Sequence, residues 1–200
     1  MVSLNFIIIF KNKMESTATP DPNINAEGFP IDLDYGKFQY VRRLDSGGQG
    51  VVCLYRSLPH RDVNPPYPEY VAVKFDPANE TMNLKETLWL KDETTRIKAE
   101  GRENEAMIPT YFMHSFYKSR RFFVMSYLPE SIDDFIKSKG EKEKNRMITE
   151  AAVKMFDNVR WLHGRGFLHR DIKPSNFRVK DGKVYITDFG TYTTIDDPNT

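Results

Sequence analysis

Short apolar runs separated by turn residues dominate the middle of the chain. Phe38–Leu44 and Val51–Tyr55 are rich in aromatic and β-branched residues, and the glycine-rich segment Ser46–Gly50 lies between them. This spacing predicts an antiparallel hairpin. Tyr70–Phe75 and Arg121–Met125 are two further apolar runs of strand length. We therefore predict a small antiparallel sheet.

Two other segments favour helices. Asn83 can cap a helix that carries Glu86 at the reciprocal position and runs to about Ile97. A later helix is indicated by apolar positions that recur at spacings of four and three. These positions are Ile148, Ala152, Met155, Val159 and Leu162. A short strand, Val184–Thr187, follows this helix.

This order of elements predicts an α+β fold with two lobes. A small antiparallel β lobe with one helix, residues 35–125, would precede a mostly helical lobe, residues 126–200, with the connection near Ser126–Pro129. Residues 1–34 are predicted to be a disordered tail, since Glu15–Pro30 is polar and contains three prolines. The apolar run Leu4–Phe10 is far shorter than the ~20 residues of a membrane helix.

Composition narrows the functional classes. The chain has 29 basic and 28 acidic residues, a net charge of +1, which gives no general attraction to nucleic acid or to an acidic membrane. Its one cysteine, Cys53, excludes an internal disulfide and a cysteine-rich zinc site, so a reducing compartment, cytoplasmic or nuclear, is expected. Oligomeric state is left open by the sequence.

The strongest chemical signal is a pair of motifs near the end of the chain. His169–Asn176 reads His-Arg-Asp-Ile-Lys-Pro-Ser-Asn, and Asp188-Phe189-Gly190 begins twelve residues after Asn176. In this order the motifs resemble the catalytic loop and the magnesium-binding motif of protein kinases.

Phosphoryl transfer needs a carboxylate beside the attacking hydroxyl and positive charge around the phosphates. Asp171 is the candidate carboxylate, and Lys173 can reach the transferring phosphate. Asn176 and Asp188 offer the oxygen ligands that Mg²⁺ prefers. We therefore expect Asp171 and Lys173 to be catalytic and Asn176 and Asp188 to hold the metal.

A second signal is the lysine in the apolar run Val71–Lys74. A charge in a buried strand must find a partner. In the kinase interpretation Lys74 binds the ATP phosphates and pairs with a glutamate of the next helix. Glu86 is the preferred partner, and Glu93, two helical turns further on nearly the same face, stays open as an alternative.

A third signal is the glycine hairpin that precedes Lys74. Glycines let backbone N–H groups approach a phosphate closely. The predicted phosphate-binding residues of this loop are Ser46, Gly47, Gly48 and Gly50.

From about Phe38 to Thr194 the chain resembles the casein kinase one superfamily, including its tau-tubulin kinase side. The similarity lies in His169–Phe177 and in Phe123–Met125 leading to Ser131–Phe135. It implies a two-lobed kinase fold, ATP with Mg²⁺ as co-substrate, and a protein serine or threonine as acceptor. From the balanced charge, neither nucleic acid nor membrane is expected as a partner. The resemblance further implies an adenine site made of Met125 as gatekeeper, Tyr127 and Leu128 in the hinge, and Val52 and Ala72 as the roof.

Three features depart from this family. Asp45 stands where the first loop glycine is usual, and Arg178 where an apolar residue beneath the adenine is usual. The sequence ends ten residues after Gly190, so the large lobe is expected to be incomplete and to end in its activation segment. These departures keep a second hypothesis open, a catalytically inactive kinase fold that acts as a binding or scaffold module. A small-molecule phosphotransferase is a third hypothesis, which the Ile172–Pro174 sequence disfavours.

Overall fold

A computed structural model of the chain describes residues 21–34, 37–48, 50–59, 66–77, 84–138 and 141–196. Its strands are β1 (Asp32–Leu33), β2 (Phe38–Gly47), β3 (Gly50–Ser57), β4 (Tyr70–Phe75), β5 (Tyr111–Tyr117), β6 (Arg120–Ser126), β7 (Glu130–Ser131), β8 (Phe167–Leu168), β9 (Phe177–Lys180), β10 (Lys183–Ile186) and β11 (Thr193–Thr194). Its helices are α1 (Leu84–Ala99), α2 (Ile132–Lys137) and α3 (Glu141–Gly164). No helix within these ranges is long and apolar enough to span a membrane.

The small lobe is an antiparallel sheet of six strands in the order β1-β2-β3-β4-β6-β5. The predicted hairpin is present, with Gly47 opposite Gly50 at its tip. Both of its strands extend beyond their apolar runs, because ladder hydrogen bonds depend on the backbone and continue into the polar and glycine residues of the loop. The predicted α+β, two-lobed fold is confirmed.

The alternation of side chains along β4 determines which face of the sheet Lys74 occupies. Val71, Val73 and Phe75 pack into a core on one face of the sheet, and Lys74 lies opposite Val52 and Phe123 in the ladder. Since neighbouring residues of a strand face opposite sides, Lys74 faces the side on which α1 packs. The strand thus fixes which face of the sheet receives the charge.

Residues 21–34 differ from the predicted disordered tail. Phe29 and Leu33 are buried in the core of the small lobe, and β1 pairs with β2. The buried hydroxyl of Tyr55 donates to the Pro30 carbonyl oxygen at 2.8 Å. Apolar side chains spaced four residues apart, each filling a site in the sheet core, anchor a segment whose average composition is polar. Residues 1–20 of the predicted tail, which include the apolar run Leu4–Phe10, and the predicted helix cap Asn83 lie outside the described residues.

The large lobe is built on α3 and two small sheets. The three-stranded sheet has the order β10-β9-β7, and β11 pairs with β8. The predicted apolar stripe of α3 is correct in part, since Leu162 is buried and Met155 and Val159 pack against the core, whereas Ile148 is exposed. Met147, Ala151 and Asn158, each one position before a predicted residue, are buried as well. The contacts of α3 with α2 and β10 select the buried face, and Asn158 tolerates burial by donating to the Lys154 carbonyl oxygen within the helix.

Cys53 is fully buried in β3. Burial raises the pKa of its thiol to about 12, since the thiolate would be poorly solvated there. The cysteine is therefore a packing residue in the core of the small lobe, with a thiol that stays protonated at neutral pH.

The anchoring of residues 21–34 is testable by truncating one buried side chain. Leu33→Ala should lower the free energy of unfolding by about 2–5 kcal/mol, because it leaves a cavity in the sheet core. Ile31→Ala, at an exposed neighbouring position, is the matched control and should change it by less than about 0.5 kcal/mol. Urea denaturation of both variants measures the difference, and equal, small effects would show that this segment does not contribute to the core.

Candidate active site

A cleft of about 520 Å³ lies between the two lobes. This volume is within the ~300–1,000 Å³ range of small-molecule sites. Every residue that the sequence predicted to contact the nucleotide lines it: Ser46, Gly47, Gly48, Gly50, Val52, Ala72, Lys74, Glu86, Met125, Tyr127 and Leu128. From the large lobe, Lys173, Asn176 and Asp188 complete the lining. The fold thus gathers both sets of predicted residues at one opening.

At the back of the cleft, one cation joins two acids from different parts of the fold. Lys74 Nζ lies 2.7 Å from Glu86 Oε2 on α1 and 2.8 Å from Asp188 Oδ1 in the segment after β10. The side chains of Lys74 and Glu86 are only 6% and 3% exposed. Burial by itself would lower the pKa of Lys74, but the two carboxylates outweigh burial and raise it. The lysine is therefore a permanent cation directed into the cleft.

The choice between Glu86 and Glu93 is resolved by this geometry in favour of Glu86. Besides Lys74, Glu86 accepts a hydrogen bond from the backbone N–H of Phe189 at 3.2 Å. Glu93 lies two turns further along α1 and pairs with Arg165 at 2.6 Å. One helix face therefore carries two buried acids with different partners.

Asp171 is held by the neighbours that link it to the cleft. Its Oδ2 atom lies 2.7 Å from Lys173 Nζ, and it accepts a hydrogen bond of 3.0 Å from Asn176 Nδ2. Hydrogen bonds from Lys173 and Asn176 lower the pKa of Asp171. Asp171 does not itself line the cleft, but both of its partners do. It is an ionised, partly exposed carboxylate at the cleft edge.

Asp188 is positioned by hydrogen bonds between Asn176, directly before β9, and Thr187, directly after β10. The N–H of Thr187 donates to the Asn176 carbonyl oxygen at 2.8 Å, and the Thr187 hydroxyl donates to the same atom at 3.1 Å. Asp188 follows with a left-handed backbone, φ 68°, a conformation unusual for a residue other than glycine. Such a conformation persists only where the surroundings enforce it, and it directs the carboxylate toward Lys74.

The His169 side chain connects the motif His169–Asn176 with the motif that begins at Asp188. Its Nε2 atom lies 2.9 Å from the Thr187 carbonyl oxygen, and its Nδ1 atom lies 3.3 Å from the backbone N–H of Asp171. A carbonyl can only accept and an N–H can only donate, so the neutral Nε2–H tautomer satisfies both contacts. Burial lowers the pKa of His169, which favours the same neutral form. The histidine is a positioning residue with its ring packed edge-on against Phe189.

Arg178 and Asp45, the two residues that depart from the usual kinase pattern, both have hydrogen-bond partners near the cleft. The guanidinium of Arg178 donates to the carbonyl oxygens of Leu128, at 3.2 and 3.1 Å, and of Pro129, at 3.1 Å. Its charge is therefore held by the connection between the lobes, while the residue lines the cleft floor. Asp45 also lines the cleft, and its carboxylate accepts a hydrogen bond of 2.7 Å from the backbone N–H of Ser46.

Oxygen donors for a divalent cation are present on the floor of the cleft. Asn176 directs its amide N–H groups to Asp171, at the backbone oxygen and Oδ2, and its side-chain oxygen accepts no hydrogen bond from the residues that the structure describes. Asp188 contributes a carboxylate next to it. In the part of the chain that the structure describes, no group of three or more His, Cys, Asp or Glu side chains is arranged to hold a metal. This donor set fits Mg²⁺, which typically takes one or two protein carboxylates together with phosphate and water oxygens.

Several lining residues were assigned no role in the site from the sequence. They are Leu44, Pro109, Ser126, Ser175 and Thr187. Each is a neighbour of a predicted residue or enters from a loop whose path depends on the tertiary fold. For Thr187, the signal available was its position directly before Asp188.

Sequence comparison identifies the family. The family described as protein kinase domain matches residues 39–200. The chain therefore belongs to the protein kinase domain family.

Curated relatives are named protein kinases as well. The serine/threonine-protein kinase LATS1 of Mus musculus is 30% identical over 169 residues, which cover 80% of this chain and 14% of LATS1. The Homo sapiens LATS1 protein is 29% identical over 168 residues, with the same two coverages of 80% and 14%. A probable casein kinase I homolog of Encephalitozoon cuniculi is 31% identical over 84 residues, 42% of this chain and 26% of the homolog. The chain thus spans a small part of the length of the LATS1 proteins.

The buried ion pair predicts a large stability effect. Lys74→Met removes the cation and leaves Glu86 buried without its partner, so the free energy of unfolding should fall by about 3–5 kcal/mol. Urea denaturation at neutral pH measures the loss. The double variant Lys74→Met/Glu86→Gln should recover roughly half of it, because the fully buried acid is then neutral and only the partly exposed Asp188 has lost its cation. A single variant as stable as the parent would contradict the buried pair.

The neutral state of His169 predicts a pH dependence of stability. Its pKa is lowered on folding, so near pH 6 the unfolded chain binds more protons than the folded one. The free energy of unfolding should therefore fall as the pH drops below about 6.5, the ordinary value for histidine, and level off below the lowered pKa of the folded protein. Denaturation of His169→Gln between pH 5 and about 8 should show a smaller slope. His163→Gln, at an exposed position, is the control, and equal slopes in the parent and His169→Gln would refute the assignment.

Proposed function

We propose that this protein is a serine/threonine protein kinase that transfers the γ-phosphoryl group of Mg-ATP to a hydroxyl of a protein substrate. The observation that supports it most strongly is the convergence of Lys74, Asn176, Asp188 and Lys173 on one cleft, with Asp171 bonded to two of them. Phosphoryl transfer depends chiefly on positioning and charge stabilisation, and this set supplies both.

The adenine would occupy the part of the cleft below Val52 and Ala72. Met125 would lie at its back, and the backbone at Tyr127 and Leu128 would meet its polar edge. The stem of Arg178 would form the floor, since its guanidinium is engaged with the carbonyls of Leu128 and Pro129. The substitution of arginine is therefore compatible with a base in the cleft.

The triphosphate would lie between the glycine hairpin and Lys74. The lysine is held by Glu86, and its ammonium supplies a fixed positive charge where phosphate charge develops. Asn176 and Asp188 would hold Mg²⁺, which neutralises phosphate charge when bound. The left-handed backbone of Asp188 accompanies a carboxylate that lies 2.8 Å from Lys74, so the same acid would join the lysine and the metal.

The acceptor hydroxyl would meet Asp171 at the cleft edge. The lowered pKa of Asp171 keeps it ionised, as a proton acceptor must be. Lys173 accompanies it at 2.7 Å and can also reach the transferring phosphate as a point charge. The lysine at this position, the names of the LATS1 relatives and the partial match to a casein kinase I homolog all favour serine or threonine acceptors.

A second candidate function is a kinase fold that binds partners without catalysis. Asp45 favours it, because its carboxylate occupies the Ser46 N–H that would otherwise be available to a phosphate and adds negative charge to the hairpin. The intact set of Lys74, Asp171 and Asp188 favours the enzyme.

Measuring Mg-ATP binding and phosphate transfer to an acidic protein separates the two functions. The parent chain should transfer phosphate, and Asp171→Asn should reduce transfer at least about 100-fold through loss of the proton acceptor. Binding of Mg-ATP should change less than about twofold, since Asp171 does not line the nucleotide cleft.

Asp133→Asn, at an exposed position in α2, is the matched control and should behave like the parent. Binding of Mg-ATP without transfer in the parent would support the scaffold function instead. Equal transfer by the parent and Asp171→Asn would refute the role of Asp171.

A further inference from the structure

Arg165 lies at the junction between α3 and the catalytic loop. It follows α3 directly and precedes Gly166, whose φ of 88° turns the chain into β8. β8 ends at Leu168, immediately before His169. The backbone of Arg165 is therefore part of the segment that carries the catalytic motif.

The side chain of Arg165 reaches across to α1. Its Nε atom lies 2.6 Å from Glu93 Oε2, and its two terminal nitrogens lie 3.0 and 3.2 Å from the two carboxylate oxygens of Glu100. The side chains of Arg165 and Glu93 are only 9% and 5% exposed. Burial alone would lower the pKa of Arg165, but the bonds to Glu100 and Glu93 outweigh it and raise the pKa. The guanidinium fork thus binds two acids, one in α1 and one just after it.

Arg96 closes the same network from the helix side. Its guanidinium lies 2.6 Å from Glu93 Oε1 and donates to the backbone carbonyl oxygen of Arg165 at 3.3 Å. Both oxygens of the buried Glu93 are therefore paired, and α1 is tied to the backbone as well as to the side chain of Arg165.

The spacing of the two acids on α1 makes this tie relevant to the cleft. Glu86 and Glu93 are seven residues apart, about 10 Å along the helix and on nearly the same face. Glu86 is bound by Lys74 of the small lobe, and Glu93 by Arg165 of the large lobe. Two buried ion pairs therefore fix the rotation and height of α1 relative to both lobes.

We propose that Arg165 is a positioning residue that clamps α1 to the segment leading into the catalytic loop and so keeps Glu86 on Lys74. The inference rests on the proposed kinase function for its consequence in catalysis, whereas the clamp itself concerns the structure alone. When the clamp is weakened, α1 moves away from the large lobe, Glu86 releases Lys74 and the N–H of Phe189, and the ammonium loses its fixed place among the phosphates.

Hydrogen exchange, resolved by residue and measured without nucleotide, tests the clamp. Arg165→Lys keeps the charge but cannot bind Glu93 and Glu100 with a planar fork. Amide exchange in α1 and at Phe189 should rise at least about tenfold, while exchange in the central strand β4 should change less than about twofold, as expected for a local opening.

Two variants complete the test. Arg146→Lys is the matched control, since it makes the same substitution at an exposed arginine of α3 that pairs only with acids of that helix in the described structure, and it should leave all exchange rates unchanged. Glu93→Gln keeps an acceptor for Arg165 and should give a smaller rise at the same amides, which also serves if Arg165→Lys does not fold. Unchanged exchange in α1 and at Phe189, or a uniform rise that includes β4, would overturn the clamp.

Kinetics test the catalytic consequence separately. In Arg165→Lys the kcat/KM for ATP should fall about tenfold, while the KM for the protein acceptor stays within about twofold, because only the Lys74 side of the site is disturbed. A rise in the KM for the protein acceptor as large as the fall in kcat/KM for ATP would overturn this consequence. A parent chain without transfer would refute the proposed function, and the exchange measurements would still decide the clamp.

Discussion

An ammonium buried in the middle of an apolar strand requires anions beside it, and the arrangement of this protein follows from how they are supplied. Lys74 receives Glu86 from α1 and Asp188 from a segment 114 residues away in sequence. Without both acids the burial of the lysine would be strongly unfavourable. The small lobe, the helix and the floor of the cleft are therefore bound to one another at a single charged atom.

The other contacts of the site extend this connection. Glu86 also accepts from the Phe189 N–H, so the position of α1 is coupled to the motif that contains Asp188. His169 links the Thr187 carbonyl with the Asp171 N–H and thereby fixes the distance between the two motifs. Arg165 holds the far end of α1. These contacts of Glu86, His169 and Arg165 are structural and do not depend on activity. Together they hold α1 and the two motifs in place around the cleft.

The departures from the usual kinase pattern have different physical outcomes. Arg178 is accommodated, because its charge is satisfied by carbonyl oxygens at the connection between the lobes. Asp45 adds an acid to the hairpin, and the Ser46 N–H is its hydrogen-bond partner. The large-lobe substitution is therefore compatible with the proposed nucleotide in the cleft, whereas the hairpin substitution would weaken the hold on its phosphates.

The sequence alone determined those features that depend on residues close together in the chain. The strands around the glycine hairpin, α1 and the order of the two motifs follow from the periodicity and spacing of neighbouring residues. The resemblance of the motifs to those of protein kinases predicted Lys74, Asp171, Asn176 and Asp188 as one set, since phosphoryl transfer needs those residue types.

Only the tertiary structure decided the questions that depend on contacts between distant segments. Glu86 and Glu93 are equivalent by helix periodicity, and the position of Arg165, 72 residues from Glu93, distinguishes them. Residues 21–34 have a polar composition, yet Phe29 and Leu33 fill sites that exist only once the sheet has formed. The buried face of α3 is likewise chosen by α2 and β10. Local pattern specifies which residues can pair or be buried, and the packing of segments remote in sequence selects those that do.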